Sequence, residues 1–376
     1  MYRLGVVGLG HWFERLYEGI KKTSMIEIEK AASVSGIEKK GAQLTRLGIP
    51  HEKYYKLVPG KPIPDEFFKG LDIVHISNPN QFHAEQTIQS LSFNKITITE
   101  KTFGVDRKEF DSVLDYISEN ELESKAYLHL HYVHKQLVLH LPKLLEELTV
   151  SEGRIRETVS TFFEMANDEG IRRSSWLFKP ESGGLFMDWI HPFEIYLKGA
   201  LATEMKLSNA RGYAVNTEYD ISNPTGIEAE IRLNGRFFSK NARATMRVSE
   251  GVDEMHKRKV SRFIFESGNY LDLNFIDSGL EFSGSNRGTW ELRKGDDGSL
   301  IRSGNPTGPT SSDILVSDMV SLCKGKNPGL TTQEMRMLYE PQWNYQSMAK
   351  GMDLIKDREH VSEFMRSGSK VCAATN

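Results

Sequence analysis

The first third of the chain alternates short apolar runs with amphipathic stretches. Tyr2–Val7 and Leu71–Ser77 are apolar in the manner of strands that are buried on both faces, whereas His11–Lys22 and Ile37–Leu47 carry apolar residues at helical spacing. Repeated strand–helix units of this size predict a parallel sheet that is covered by helices on both faces. The further elements predicted in this part are a strand over Ile26–Val34, a helix over His83–Leu91, a strand over Lys95–Thr99 and a helix over Asp106–Asn120.

The pattern changes after about residue 150. Short apolar segments such as "RATMRVSE", "KVSRFIFES", "SGLEFSG" and "TWELRKGDDGSLIR" are separated by Gly, Asn and Asp turns, which is typical of antiparallel strands. From Thr331 the pattern is helical again. We therefore expect an α/β domain over residues 1–125, an α+β domain over 126–330, and C-terminal helices over 331–376 that pack back on the body.

Composition limits the functions that need to be considered. The chain has 376 residues, more than one typical hydrophobic core, and a formal net charge of −3, which gives no electrostatic reason to expect a nucleic acid or an anionic membrane as a partner. No apolar stretch is long enough to span a bilayer, and the N-terminus runs directly into a predicted strand, without a signal peptide. Two cysteines do not suggest a disulfide framework, so a cytoplasmic location is expected.

A glycine pair follows the first predicted strand. In "VVGLGHWF", Gly8 permits a tight turn and Gly10 allows a pyrophosphate to approach the backbone at the start of the next helix. The third glycine of the usual fingerprint is replaced by Phe13. Because the motif lies at the first strand of an alternating series, it predicts dinucleotide binding by Gly8, Gly10, His11, Trp12 and Phe13.

The end of the second strand indicates which dinucleotide is bound. A carboxylate there would accept a hydrogen bond from the 2′-hydroxyl of NAD. The sequence instead has Ser33 and Ser35, followed by Lys39 and Lys40, which suit the 2′-phosphate of NADP. The alternative is that the lysines belong to a solvated helix face. NADP is predicted, with NAD as the alternative.

The stretch "SGGLFMDWIHPFEIY" (Ser182–Tyr196) places Asp188, His191 and Glu194 one helical turn apart in an apolar segment. Ionisable side chains on one face of such a helix are costly to bury without partners. The stretch is either an amphipathic helix whose polar stripe meets water or an acid/base site. Histidine suits proton transfer near neutral pH, and a carboxylate beside it would orient the ring.

Four motifs, taken in order, resemble the Gfo/Idh/MocA oxidoreductases. They are "GLG" near the N-terminus, "ISNPNQFH", "TITEKTF" and "SGGLFMDWIHPFE". The resemblance implies an N-terminal Rossmann domain followed by a domain with a large open, mainly antiparallel sheet. In the family that sheet often forms the oligomer interface, so a homodimer or homotetramer is expected.

The resemblance also assigns roles to individual residues. Lys101 matches the active-site lysine and follows Glu100, although Thr102 replaces the usual proline. His191 matches the catalytic histidine, and Asp188 or Glu194 would orient it; the family's aspartate lies four residues before the histidine, whereas Asp188 lies three before it. The residues that match the nicotinamide side of the cofactor site, together with Glu100 and Lys101, are Asn78, Pro79 and His83.

Candidate substrate contacts lie in two further segments. In "AYLHLHYVHK" (Ala126–Lys135) alternation places Tyr127, His129 and His131 on one strand face, and Lys135 is the basic residue nearest to the position of a family arginine. Arg173 and Trp176 lie in a basic loop before the histidine helix, which is either a substrate loop or a solvated surface. No acidic or cysteine partner accompanies the histidines at ligand spacing, so no metal site is predicted.

These observations predict an NADP-dependent oxidoreductase that acts on a sugar, a cyclic polyol or a sugar derivative. Lys101 and His191 would act on the reacting oxygen, and Lys135, Arg173 and Trp176 would contact the substrate. A non-catalytic sensor or scaffold that binds a dinucleotide is the alternative, but it has no chemical need for both Lys101 and His191.

Overall fold

The chain forms two compact units. The computed structural model describes residues 1–165, 185–215, 224–252, 258–275, 288–349 and 354–373. The first unit comprises Met1–Leu130 and Ser311–Gln333, and the second comprises His131–Thr310 and Glu334–Asn376. Among the described residues, none of the helices is both long and apolar enough to cross a membrane.

The first unit is built on a six-stranded sheet in the order β3-β2-β1-β4-β5-β6. All its strand pairs are parallel, as the alternating pattern predicts. The strands are β1 (Tyr2–Val7), β2 (Ile26–Ser33), β3 (Tyr54–Lys56), β4 (Ile73–Ile76), β5 (Ile96–Glu100) and β6 (Ala126–His129). The helices that follow them are α1 (His11–Ile20), α2 (Ile37–Leu47), α3 (Asp65–Phe68), α4 (His83–Ser92) and α5 (Arg107–Glu119).

Successive side chains of β1 enter two different cores. Leu4 and Val6 belong to a cluster with Phe13 of α1, whereas Val7 belongs to a cluster with Phe67 on the other side of the sheet. A strand with helices on both faces needs apolar residues at consecutive positions, because alternate side chains point to opposite faces. This explains the continuous apolar run of β1.

The helix α8 (Ser311–Cys323) belongs to the first unit. Met319 is buried in the same core cluster as Phe13, Lys22 Nζ lies 2.8 Å from Asp313 Oδ1, and the Tyr127 hydroxyl donates to Asp318 Oδ2 over 2.5 Å. The sequence-based division placed residues up to 330 in the second domain. It differs because the apolar face of α8 packs beside α1, a long-range contact that no local pattern specifies.

The second unit is built on an eight-stranded sheet in the order β14-β13-β12-β11-β7-β10-β9-β8. Only β7 and β10 run parallel among these pairs, so the sheet is mainly antiparallel, as expected. The strands are β7 (Ile155–Met165), β8 (Ala202–Tyr213), β9 (Gly226–Gly235), β10 (Phe238–Val252), β11 (Arg258–Phe265), β12 (Tyr270–Asn274), β13 (Thr289–Arg293) and β14 (Leu300–Gly304). The helices are α6 (Gln136–Glu152), α7 (Phe186–Glu194), α9 (Thr332–Ala349) and α10 (Arg358–Ala373), and a π-helical turn, Ile195–Gly199, follows α7.

The two faces of the eight-stranded sheet differ in chemistry. One face packs against the π-helical turn, where the Tyr196 and Ser160 hydroxyls lie 2.7 Å apart. The other face carries charged cross-strand pairs: Arg247 Nη2 lies 2.7 Å from Glu228 Oε1, and Arg262 Nε lies 2.6 Å from Asp272 Oδ1. An oligomer formed through this face would therefore have a polar interface, and the oligomeric state stays a prediction.

The segment after β6 departs from the predicted strand. β6 ends at His129, and Tyr132–His134 form a 3-10 helix. The chain turns because the backbone N–H groups of Tyr132 and Val133 donate to the Glu194 carboxylate rather than to a neighbouring strand. The expectation that Tyr127, His129 and His131 share a strand face is therefore wrong for His131. The predicted strand "SGLEFSG" (278–284) lies outside the described residues.

Candidate active site

The two glycines after β1 have different structural tasks. Gly8 has a φ of +100°, and a Cβ at this position would lie 2.6 Å from the backbone nitrogen of Asn78, so only glycine fits. Gly10 is the N-cap of α1, without a side-chain cap, and a Cβ there would meet no atom within 4 Å. No atom therefore blocks the approach to Gly10 at the N-terminus of α1, where backbone N–H groups can bind an anion. Phe13 is fully buried, and the side chains of His11 and Trp12 lie outside the described residues.

The end of β2 carries a hydroxyl group, as predicted, but the hydroxyl of Ser33 is already hydrogen-bonded to a side chain of β3. Ser33 Oγ lies 2.7 Å from the hydroxyl of Tyr54, which also donates to the Ser35 carbonyl oxygen. Burial raises the pKa of Tyr54, so its hydroxyl stays protonated near neutral pH. Tyr54 lies on β3 and was not identified from the sequence, because its contact depends on strand order.

The two lysines beyond β2 have different surroundings. Lys39 is exposed, whereas Lys40 Nζ donates to the carbonyl oxygen of Leu9, within the glycine turn, over 2.7 Å. Burial lowers the pKa of Lys40 and Glu14 opposes that effect. Lys40 therefore supports the glycine turn, and Lys39 is the better placed of the two to meet a phosphate. The Glu38 carboxylate folds over Gly36 at the start of α2, a neighbour that the sequence interpretation overlooked.

The turns after β4 and β5 are joined by the buried side chain of His83. Its Nδ1 lies 2.7 Å from the carbonyl oxygen of Thr102, and its Nε2 lies 2.7 Å from the carbonyl oxygen of Asn78. The Asn78 side chain donates in turn to Gln86 Oε1 over 2.8 Å. Pro79 is the N-cap of the 3-10 helix that follows. The structure therefore brings together Asn78, Pro79 and His83, three of the residues predicted on the nicotinamide side of a cofactor.

Glu100 is buried between two histidines at the carboxyl ends of the central strands. Its Oε1 lies 2.7 Å from His129 Nδ1 and 3.3 Å from His75 Nε2. Burial alone would raise the pKa of Glu100, but His129 and His75 hold it well below its usual range. Lys101 follows, half-buried, and its peptide bond to Thr102 is cis. We name the residues predicted at the cofactor the nucleotide cluster, which comprises Gly8, Gly10, Lys39, Asn78, Pro79, His83, Glu100 and Lys101.

The second unit contains a buried histidine–carboxylate pair. His191 Nδ1 lies 3.0 Å from Glu194 Oε1, and Glu194 Oε2 accepts the backbone N–H of Tyr132 over 2.7 Å and that of Val133 over 3.3 Å. An ionised carboxylate can only accept hydrogen bonds, so the proton of a neutral His191 lies on Nδ1 and Nε2 carries the lone pair. We name His191, Glu194 and Tyr132 the acid/base cluster.

The ring of Tyr132 packs on the imidazole of His191. The two ring centroids are 4.4 Å apart, and Lys135 Nζ lies 4.7 Å from the centroid of the Tyr132 ring. Lys135, predicted as a substrate contact, is only 5% exposed and lies against this ring. Tyr132 had no functional role in the sequence interpretation, because its place beside His191 depends on the turn that follows β6.

Besides His11 and Trp12, three predicted site residues have side chains outside what the structure describes. Arg173 and Trp176 fall within residues 166–184, and of Asp188 only the backbone in α7 is described. Glu194 is therefore the described carboxylate that contacts His191. Within the described ranges, no group of three or more histidine, cysteine, aspartate or glutamate side chains is arranged to hold a metal ion.

Comparison with known proteins identifies relatives of this fold. No protein-family model matches the chain. The chain is 25% identical over 220 residues to the NADP(+)-dependent scyllo-inositol 2-dehydrogenase IolU of Bacillus subtilis (strain 168), a match that covers 55% of this chain and 64% of that protein. The chain thus matches less than two thirds of the length of this relative.

Solved structures match nearly the whole chain at low sequence identity. An aldose–aldose oxidoreductase from Caulobacter crescentus, complexed with glycerol, superposes with a TM-score of 0.72 at 13% identity over 93% of this chain and 98% of that one. The 3-ketoreductase KijD10 from Actinomadura kijaniata, in complex with NADP and TDP-benzene, superposes with a TM-score of 0.69 at 15% identity over 95% and 99% of the two chains. The chain therefore has the fold of these solved oxidoreductases, with a Rossmann-like unit and a second unit built on a large, mainly antiparallel sheet, which is the fold that the resemblance to the Gfo/Idh/MocA oxidoreductases implies.

Proposed function

We propose that this protein is an NADP-dependent oxidoreductase that acts on a hydroxyl or carbonyl carbon of a sugar, a cyclic polyol or a sugar derivative. The observation that carries the proposal is the buried pair of His191 and Glu194. Its relatives support the substrate class, since they include an inositol dehydrogenase, an aldose oxidoreductase and a 3-ketoreductase. The inositol dehydrogenase is NADP(+)-dependent, and the structure of the 3-ketoreductase contains NADP.

The residues of the nucleotide cluster fit NADP. Gly10 would leave room for the pyrophosphate at the start of α1, and Lys39 would approach the 2′-phosphate. Asn78, Pro79 and His83 would line the nicotinamide side. When bound, NADP supplies or accepts the hydride, so the protein contributes orientation and proton transfer.

The proposed mechanism divides the remaining work between two residues. His191 would take the proton of the substrate hydroxyl through Nε2, because Nδ1 is hydrogen-bonded to Glu194. Glu194 would hold the ring in this tautomer and stabilise the imidazolium that forms. The ammonium of Lys101 would stabilise the negative charge that develops on the same oxygen. In the reverse direction His191 returns the proton.

Chain connectivity supports assigning Lys101 and His191 to one reaction. His129 contacts Glu100, the residue before Lys101, and three residues later Tyr132 contacts His191. The short segment from His129 to Tyr132 therefore connects, along the chain, a residue that contacts Glu100 with one that contacts His191. Lys135, Arg173 and Trp176 remain the proposed substrate contacts, and Asp188 remains the alternative partner of His191.

We also propose that the enzyme is a cytoplasmic homodimer or homotetramer. The charged pairs on one face of the eight-stranded sheet, such as Arg247 with Glu228, offer side chains of both signs to a second copy. The described cysteine, Cys323, has a free thiol, which suits a reducing compartment.

Replacing the proposed base tests the mechanism. His191→Ala should lower turnover by about 10²–10⁴-fold, the usual effect of losing a general acid or base, and leave NADPH affinity almost unchanged. Lys101→Ala should also lower turnover. The double variant should lose turnover by a smaller factor than the product of the two single-variant factors, because both residues act on one oxygen. NADPH absorbance with a panel of sugars, polyols and uronic acids provides the assay. Full activity of His191→Ala would contradict the assignment of His191 as the acid/base residue. If the unmodified protein binds NADPH but turns over no class of substrate, the alternative function as a sensor is favoured.

A second pair of variants identifies the residue that orients His191. Glu194→Gln should lower turnover on the order of 10–10²-fold, because the amide cannot accept from the imidazole and both backbone N–H groups together, and a misplaced base costs up to about 10². Asp188→Asn should lower turnover by a smaller factor. Steady-state kinetics, with thermal unfolding as the control for folding, compares them. The reverse order of losses would assign the orienting role to Asp188.

The cofactor assignment has its own test. The protein should bind NADPH more tightly than NADH, and Lys39→Glu should weaken NADPH binding by about 1–3 kcal/mol through the loss of charge-assisted hydrogen bonds. NADH binding should change little. Fluorescence titration measures both affinities, and Lys108→Glu, at an exposed position on α5, controls for the change in net charge. Tighter binding of NADH by the unmodified chain would show that the 2′-phosphate is not recognised.

A further inference from the structure

His83 makes two short contacts that a neutral imidazole cannot satisfy. Its Nδ1 and Nε2 each lie 2.7 Å from a backbone carbonyl oxygen, of Thr102 and Asn78 respectively. Carbonyl oxygens only accept hydrogen bonds, and a neutral imidazole has one N–H. In the neutral ring one nitrogen lone pair would therefore point at a carbonyl lone pair, in a site without solvent exposure.

The contacts join the two turns that the proposed function assigns to the nicotinamide side. Asn78 ends the turn after β4, and Thr102 follows Lys101 after β5. His83 itself is the first residue of α4, whose buried Thr87 also bonds Thr99 of β5, over 2.7 Å. The ring therefore fixes the backbone on both sides of the position from which the Lys101 side chain extends.

The surroundings of His83 supply a negative charge. Glu100 is ionised, since His129 and His75 donate to the same carboxylate oxygen. Burial is the largest effect on the pKa of His83 and lowers it, as His75 also does, whereas the hydrogen bonds to Thr102 and Asn78 and the charge of Glu100 oppose this lowering in part. The geometry of the two carbonyl contacts, and not the pKa, therefore carries the case for a second proton on the ring. The charged and titratable groups that act on the ring are thus Glu100 on β5 and His75 on β4. His129 on β6 contacts Glu100, and Lys101 precedes Thr102 in the chain. The ionised Glu100 is the group that can balance a second proton on the ring.

We propose that His83 is a positioning residue, held as a doubly protonated imidazolium that cross-links the Asn78 turn to the Lys101–Thr102 segment and so sets the geometry of the nicotinamide side. This proposal rests on the proposed function for its role toward the cofactor. The protonation state of the His83 ring can be measured in the protein without a bound cofactor.

The first experiment compares the affinities for NADPH and for a ligand that contains only its adenosine end. His83→Leu should weaken NADPH binding by roughly tenfold or more, the effect of losing hydrogen bonds from a charged donor. Binding of 2′,5′-ADP, which has the adenosine end without nicotinamide, should be unchanged. His83→Gln, whose amide keeps two N–H donors, should recover part of the loss. Thr87→Val is the matched control, because it removes another buried hydrogen bond between α4 and β5 and should leave the NADPH affinity as it was.

Nuclear magnetic resonance of the unliganded protein tests the protonation state directly. With histidines labelled by ¹⁵N, the signals that vanish in His83→Gln identify the ring. At about pH 6, just below the ordinary histidine pKa of about 6.5, both ring nitrogens should carry protons. A single N–H at that pH would overturn the cross-link, as would an equal loss of NADPH and 2′,5′-ADP affinity in His83→Leu. If the unmodified protein binds neither ligand, the cofactor assignment fails, and the proton count still decides the state of His83.

Discussion

A carboxylate that is removed from water must be surrounded by N–H donors, and this constraint organises both clusters described here. In the first unit Glu100 receives two imidazoles, and in the second Glu194 receives one imidazole and two backbone N–H groups. Each carboxylate determines the orientation and tautomer of a histidine beside it. Replacing either carboxylate would break these buried hydrogen bonds. The loss of stability would exceed the stability that an exposed ion pair contributes.

The same constraint explains local features of the backbone. The chain leaves the parallel sheet after His129, and the N–H groups of Tyr132 and Val133, a few residues later, donate to Glu194. That turn places the Tyr132 ring on His191 and Lys135 against Tyr132. Gly8 is required for a comparable reason, since its turn packs directly on the backbone of Asn78. In both units, the position of a functional side chain follows from the hydrogen bonds of the backbone beside it.

Much of the fold is predictable from periodicity. The bounds of α2 agree with the predicted Ile37–Leu47, and Asp106 caps α5 by accepting the Glu109 N–H over 2.8 Å. The glycine pair and the residues Asn78, His83, Lys101 and His191 could be selected because local motifs mark them. Tyr54, Tyr132 and His75 could not be, because their roles depend on strand order and on long-range contacts. The same limit applies to α8, whose packing beside α1 joins residues about 300 positions apart in sequence.

The central claim is that the basic nitrogen of His191 and the ammonium of Lys101 act on one substrate oxygen. A crystal structure of the protein with NADPH and a sugar or polyol that it turns over tests this claim most directly. The account predicts one hydroxyl or carbonyl oxygen of the ligand within about 2.6–3.2 Å of both His191 Nε2 and Lys101 Nζ, with its carbon facing the nicotinamide. A reacting oxygen that contacts neither nitrogen, or a carbon turned away from the nicotinamide, would contradict it.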